Sequence, residues 1–476
     1  LKKVHIDFPR CIGSNRYIQE IEVCDIPKVR DMRKILFSTF SVIISGMLAP
    51  LVSAQEDSTR TLITNVHVFD GVNEARIENA NVLIEDNLIT AVSSDPIEAE
   101  NAVVIDGGGR TMIPGLIDVH WHTTYAYTPA SVLMLNQGDM SEVAIRSMKG
   151  AEETLMRGFT TVRDPGGNPF TIKKLIDAGE YPGHRILPSG PFMSQTSGHA
   201  DFHTLLENPR NSNSELSYWE KNMMAMISDG VPEVRKRTRE ILKFGATQVK
   251  ITTGGGVSSQ YDPLDVSEYS VDEIRAVVEE ATNFNTYVLA HVMTDRGIRT
   301  SIENGVMSIE HGFFASRETL ELMKEKGAWL SPQAMFEADM VWDSPVSAKK
   351  WKQVTDAVDA LYPMAVEIGV NIAFGTDQLM DPSKAYQQSE YLVRLGTWMT
   401  PYQALKIATS ENARLMEMSG PRHPYQDGPL GVIRDGAYAD LILVDGNPLE
   451  NLELVGDPQE NFDLIMKDGV IYKNEL

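Results

Sequence analysis

The chain holds 476 residues, 42% of them apolar and 23% charged, proportions that suit a folded globular protein with a large core. Its formal net charge of −23 argues against a nucleic-acid partner, because phosphate recognition needs clustered Lys and Arg. Both cysteines, Cys11 and Cys24, lie near the start, so the rest of the sequence offers no disulfide framework, thiolate ligand or cysteine nucleophile.

In chain order the first element is a leader. Met32-Arg33-Lys34 opens a basic segment, residues 35–51 are apolar but short for a transmembrane helix, and Val52-Ser53-Ala54 supplies small residues for cleavage. Residues 1–54 therefore read as an upstream extension, 1–31, followed by a secretory signal peptide from Met32. This predicts a mature chain starting near Gln55, in the periplasm or outside the cell, with no stable membrane insertion after cleavage.

Residues 55–113 and 430–476 are alike in pattern. Short β runs fall at 62–68, 82–84 and 89–92 near the start, and at 439–444 and 464–472 near the end. Gly431, Gly436, Gly446 and Gly469 punctuate the turns of the second region. They predict one small β-sandwich assembled from both termini. Between them, residues 114–429 alternate strands and helices. The strand candidates are the run from Leu116 to His122, then 159–164, 185–189, 248–252, 287–291, 307–311, 328–331 and 371–377. A Ser270/Glu273 capping box starts a helix whose apolar face is Val271, Ile274, Val277, Val278 and Ala281. A second helix spans 354–368, with Pro363 as a kink point. A third starts at Thr400-Pro401 with Gln403 at N3. Eight strands alternating with helices predict an α/β fold, a parallel (β/α)8 TIM barrel. A doubly wound sheet is the alternative, but no GxGxxG follows the first strand.

In such barrels the working residues sit at the carboxyl ends of strands. His120 and His122 end the first strand candidate, and side chains i and i+2 share a strand face, so both imidazoles can grip one ion while Trp121 points away. Lys250 falls on the fourth strand, His291 on the fifth, His311 on the sixth and Asp377 on the eighth. One histidine at a strand end is ordinarily structural. Four histidines, a lysine and an aspartate ending five strands are hard to explain as packing. Alternation puts Lys250 on the face opposite Val249 and Ile251, inside the barrel, where a buried ammonium is costly. It is either carboxylated by carbon dioxide to an anionic carbamate, or it snorkels, or it pairs with Asp377.

The segments Pro114-Gly115-Leu116-Ile117-Asp118-Val119-His120-Trp121-His122, Ser308-Ile309-Glu310-His311-Gly312 and Gly375-Thr376-Asp377 resemble the amidohydrolase superfamily. Gly254-Gly255-Gly256 after Lys250 narrows the resemblance to the imidazolonepropionase-like branch, which includes Xaa-Pro dipeptidases, prolidase-type carboxypeptidases and ochratoxin-hydrolysing amidases. The resemblance implies two divalent metal ions, most often zinc: His120, His122 and Asp377 on one, His291 and His311 on the other, and carboxylated Lys250 bridging. It implies that Asp377 shuttles a proton, that a histidine such as His199 contacts the substrate, and that relatives assemble as homo-oligomers. Tyr261 is either a hydrogen-bond donor to the polarised carbonyl or a lid residue. Arg163 and Asp164 read as a structural ion pair or a carboxylate clamp, His67 as inert, and His184 and His423 as loop residues.

The expected activity is metal-dependent cleavage of a C–N amide bond in a dipeptide or N-acyl amino acid. The same ligand set suits a cyclic amide, a lactone, a phosphotriester, a mononuclear deaminase or a non-catalytic metal- or ligand-binding protein. The Asp377 proton shuttle weighs against the last, since binding alone has no use for one.

Overall fold

The computed structural model describes residues 59–135, 139–207, 214–259 and 261–476. The leader reading for 1–54, with Cys11 and Cys24, lies outside them. Among the described residues no helix is long and apolar enough to cross a bilayer.

Eight strands from the two ends of the chain form one sheet. Arg60–Val68, Ile77–Glu85, Leu88–Ser93, Val103–Asp106 and Thr111–Pro114 come from the first region, and Leu441–Val444, Phe462–Lys467 and Val470–Asn474 from the last. The two sets join where Thr111–Pro114 pairs antiparallel with Leu441–Val444, Ile113 opposite Ile442. Alternating residues turn inward: Ile63, Val66, Val82, Ile84, Met112, Leu441, Leu443, Leu464 and Met466 share one buried core. Each such side chain contributes about 1.5–3 kcal/mol by leaving solvent.

The middle of the chain is a TIM barrel. Its strands are Leu116–Asp118, Phe159–Asp164, Arg185–Pro188, Val249–Thr252, Val288–Thr294, Ser308–Phe314, Trp329–Ser331 and Asn371–Ile372, all paired in parallel. They run in two arcs. Backbone bonds from Val119 to Phe374 (3.0 Å) and from Asp377 to His120 (2.7 Å) tie the first strand to the eighth, and Thr247 donates to Pro188 (2.8 Å) across the other gap. Every predicted barrel strand is present. Two further strands, Phe192–Ser194 and Ala225–Ile227, lie inside the long segment after the third strand, and the first of them pairs Met193 with Ile251 of the fourth. Three residues carry no readable periodicity, so pattern alone passes over them.

The helices follow their caps. Val271–Asn283 starts at the Ser270/Glu273 box and Pro401–Lys406 at the Thr400/Gln403 box. The helix predicted over 354–368 begins earlier, at Pro345, because Ser344 caps it and Pro345 occupies N1; it runs unbroken through Pro363 to Ile368.

His184 lies in the loop before the third strand, fully buried between the Ala151 carbonyl (3.2 Å) and the Thr123 hydroxyl (3.4 Å). Burial pushes its imidazole down to about 3, from an ordinary 6.5. It is neutral when folded and protonates readily when unfolded. Its stabilising contribution is thus complete above about pH 6.5 and drains away as pH falls towards 3. The expected result is that His184→Asn flattens the acid limb of stability over that window, measured as the urea midpoint against pH.

Candidate metal centre

The site is assembled where the first and eighth barrel strands end. The first strand stops at Asp118, so His120 and His122 occupy the bend that follows it rather than the strand itself. Asp118 fixes that bend. Fully buried, it accepts from the His120 amide (2.9 Å), the Thr376 amide (3.2 Å), the Thr376 hydroxyl (2.7 Å) and Gln388 (3.0 Å). One carboxylate thereby locks the histidine bend to the segment carrying Asp377. Gly375 is required at the crossing, since a Cβ there would lie 2.5 Å from His120 Cβ. Trp121 packs away from the site with Tyr127 and Ile172.

Asp377 and His311 both hold a left-handed backbone, at φ 54° and 73°. For His311 the cause is a bulge: Val292 faces His311 while Thr294 faces Phe314, so the sixth strand carries an extra residue at the rim. Such conformations cost on the order of 1–3 kcal/mol each and persist where a site needs the side chain re-aimed. Lys250 comes from mid-strand. Val249 and Ile251 face the surrounding helices with Ile241, Ile274 and Val277, while Lys250 and Thr252 line the interior cavity.

Four imidazoles, Lys250 and Asp377 line that one cavity of about 90 Å³. Ring centroids of His120 lie 5.3 Å from His122 and 5.1 Å from His311, and His311 lies 4.4 Å from His291. Asp377 Oδ1 sits 3.1 Å from His122 Nε2 and 3.3 Å from His120 Nε2, and Asp377 Oδ2 lies 3.9 Å from His311 Nδ1. Each imidazole has one nitrogen anchored: His120 Nδ1 to Glu310 (2.8 Å), His122 Nδ1 to the Gly166 carbonyl (3.0 Å), His311 Nδ1 to Gln333 (2.7 Å) and His291 Nε2 to the Gly255 carbonyl (3.3 Å).

That arrangement fits metal ions. Ligating histidines anchor one ring nitrogen on a carboxylate or carbonyl and so leave the other free to coordinate. His120, His122 and Asp377 offer ligand atoms all within 4.8 Å of one another. Borderline-soft imidazole with carboxylate suits zinc and its neighbours.

The electrostatics are those of a water-poor pocket. Burial drives the His291 imidazole far down and His311 down to about 3, so both sit neutral and available as ligands. Burial would raise the Asp377 carboxyl, but the His120 charge and the hydrogen bonds of His120 and His122 carry it well below its ordinary range. Lys250 is 2% exposed, which rules out snorkelling, and the ion pairs of Asp377 go to imidazoles. Burial, opposed by Glu310 and Asp377, brings the lysine down to about 8. Arg163 pairs with Glu310 (2.6 Å), not with Asp164, and also donates to Val119, Tyr287 and Ser308. It is neither a substrate clamp nor half of an Arg163–Asp164 pair. It holds the carboxylate that holds His120, and Asp164 instead accepts from the Thr123 and Gly166 amides.

His199 reaches the cavity, stacked on His291 at 3.9 Å and 11°. Tyr261 does not: it is 38% exposed and lies outside the cavity lining, so it is not placed to donate to a bound carbonyl. A side chain with an exposed ring on a loop follows its neighbours, and its sequence carries no orientation. His203 pairs with Asp201 (2.6 Å) and His67 with Glu78 (2.5 Å), both away from the cavity lining. Sequence reasoning missed the partners Glu310, Gln333 and Asp118, although Glu310 directly precedes His311. It also missed Phe192, Phe202, Leu379 and Met380, the apolar wall of the cavity, because a three-residue strand and loop residues show no pattern.

The amidohydrolase family model matches residues 111–473. Ochratoxinase of Aspergillus niger is 30% identical over 450 residues, 91% of each chain. A solved prolidase complexed with N-methylphosphonate-L-proline superposes with a TM-score of 0.79 at 33% identity, covering 87% of this chain and all of that one. A solved Xaa-Pro dipeptidase with methionine bound in its active site gives 0.73 at 28%, again over 87% of this chain and all of the other. These relatives fall in the branch that the motifs resemble. The chain belongs to the amidohydrolase family and is a hydrolase acting on carbon–nitrogen bonds.

Proposed function

We propose that this chain is a secreted, binuclear metal-dependent hydrolase that cleaves the amide bond of a dipeptide or N-acyl amino acid. The observation that carries the reading is the set of four imidazoles, each with one nitrogen anchored, around Lys250 and Asp377 in a single cavity. His120, His122 and Asp377 would hold one cation and His291 and His311 the other, with a carboxylated Lys250 shared between them. A Lys250 amine brought to about 8 is partly neutral near pH 7.5, so its lone pair adds to carbon dioxide and one proton leaves. Divalent cations held there, zinc first among them, would supply Lewis acidity and acidify water, to a pKa of about 7 for zinc.

The side chains do the rest. Attack of water on the amide carbon forms a C–O bond. Asp377 takes the released proton and hands it to the leaving nitrogen as the C–N bond breaks. His199 binds the substrate from beside His291. Phe192, Phe202, Leu379 and Met380 receive an apolar side chain. The prolidase solved with a proline phosphonate, the Xaa-Pro dipeptidase solved with methionine and the ochratoxinases support an amide beside a free carboxylate.

The test is a panel of free and end-blocked dipeptides and N-acyl amino acids, with a cyclic amide, a lactone and a phosphotriester alongside. Amides with a free carboxyl end should turn over fastest, lose activity on rigorous chelation and regain it with zinc. Undiminished hydrolysis after chelation contradicts the proposal. Export rests on residues 32–54, and a periplasmic product whose N-terminus lies near Gln55 would support it.

A further inference from the structure

Lys350 lies on the helix Pro345–Ile368, yet its buried ammonium turns to a different part of the barrel rim. It donates to the carbonyls of Gly256 (2.9 Å), Ser259 (3.0 Å) and Asp262 (2.8 Å). An ammonium has three donors, and all three end on backbone oxygens of the segment that follows the Lys250 strand. Two of those residues, Gly256 and Asp262, are buried, where a carbonyl that loses its donor is costly.

The same segment holds His199. Asp262 Oδ2 accepts from the Gly256 amide (2.6 Å) and sits 3.0 Å from His199 Nδ1, and the Ser259 hydroxyl lies 2.9 Å from that nitrogen. Gly256 passes so close beneath the ring that a Cβ there would stand 2.0 Å from His199 Cε1. From the far side, Glu268 accepts from the His199 amide (2.9 Å). With Nδ1 engaged, the other ring nitrogen is the one left to the cavity, and the ring lies flat on His291.

We propose that Lys350 is a positioning residue for amide hydrolysis, acting through the backbone of Gly256, Ser259 and Asp262 to set the place and tautomer of the His199 ring. The inference rests on the reading of this cavity as an amide-hydrolysing site. It links the helix before the eighth strand to a side chain from the segment after the third. Lys350 itself reaches only backbone carbonyls, so it acts on the cavity through this segment, whose Asp262 and Ser259 side chains meet His199 Nδ1.

The experiment is a double-mutant cycle of Lys350→Met with His199→Ala in the metal-loaded enzyme, read as kcat/KM, alongside hydrogen exchange of peptides covering Gly254 to Ser259. Misplacing a group by about 1 Å costs about 100-fold, so K350M should lower kcat/KM about 10- to 100-fold. It should add nothing further in the H199A background. Exchange should speed in the 254–259 peptides and not in the barrel strands, with bound metal unchanged. If K350M does not fold, Lys350→Arg replaces it: a planar guanidinium cannot fan its donors onto all three carbonyls, so a smaller loss with the same non-additivity is expected. Losses that add to those of H199A, or unchanged exchange at 254–259, overturn the proposal. An unmutated enzyme that cleaves no amide overturns the amide reading instead, while the exchange measurement still reports on Lys350.

Discussion

Replacing Lys250 with Met is expected to lower kcat on the order of 10³-fold or more, the scale of losing a principal stabiliser of developing charge. Metal content should fall with it, because on the proposed reading a Lys250 carbamate would be shared by both halves of the site. The fold should survive. Lys250 is buried, and Met keeps the length of the chain while removing an amine that costs free energy to bury. The thermal midpoint of metal-free K250M should therefore match or exceed that of the metal-free parent. Inductively coupled plasma mass spectrometry and steady-state rates on the same preparations check both parts. A lysine serving only to fill the barrel would leave metal content and kcat together near the parent values.

Asp377→Asn separates proton transfer from metal holding. Asparagine keeps the shape and one coordinating oxygen but accepts no proton from attacking water at neutral pH. General acid–base groups contribute about 10²- to 10⁴-fold, so kcat should fall by that range while KM changes little. His120 and His122 remain anchored on Glu310 and Gly166, so their cation should stay. Loss of metal with loss of rate would make Asp377 a plain ligand. Unchanged kcat would remove it from the chemistry.

Part of this was legible in the sequence because Lys250, His291 and His311 sit on periodic elements. Lys250 is placed by strict alternation against Val249 and Ile251, and the core contacts of those two residues confirm the face. His291 and His311 lie within strands rich in apolar residues, Val288–Thr294 and Ser308–Phe314, where a polar side chain stands out; both strands run three residues past the expected ends. The closure of the sheet from both termini was legible in short β runs for the same reason. Three things were not. Arg163 and Asp164 are neighbours in sequence on one strand, so their side chains point to opposite faces and cannot pair; Arg163 crosses the barrel to Glu310 instead. Tyr261 lies on a loop, where spacing carries no direction. The left-handed backbone of His311 and Asp377 comes from the rim bulge and from the crossing at Gly375, both products of tertiary contact.

A crystal structure grown with zinc and bicarbonate, with anomalous scattering recorded at the zinc edge, probes all six side chains at once. Two peaks are predicted, one within bonding distance of His120, His122 and Asp377 and one beside His291 and His311, with continuous density beyond Lys250 Nζ reaching both. A single peak above an unmodified lysine amine would contradict a shared cage for two cations.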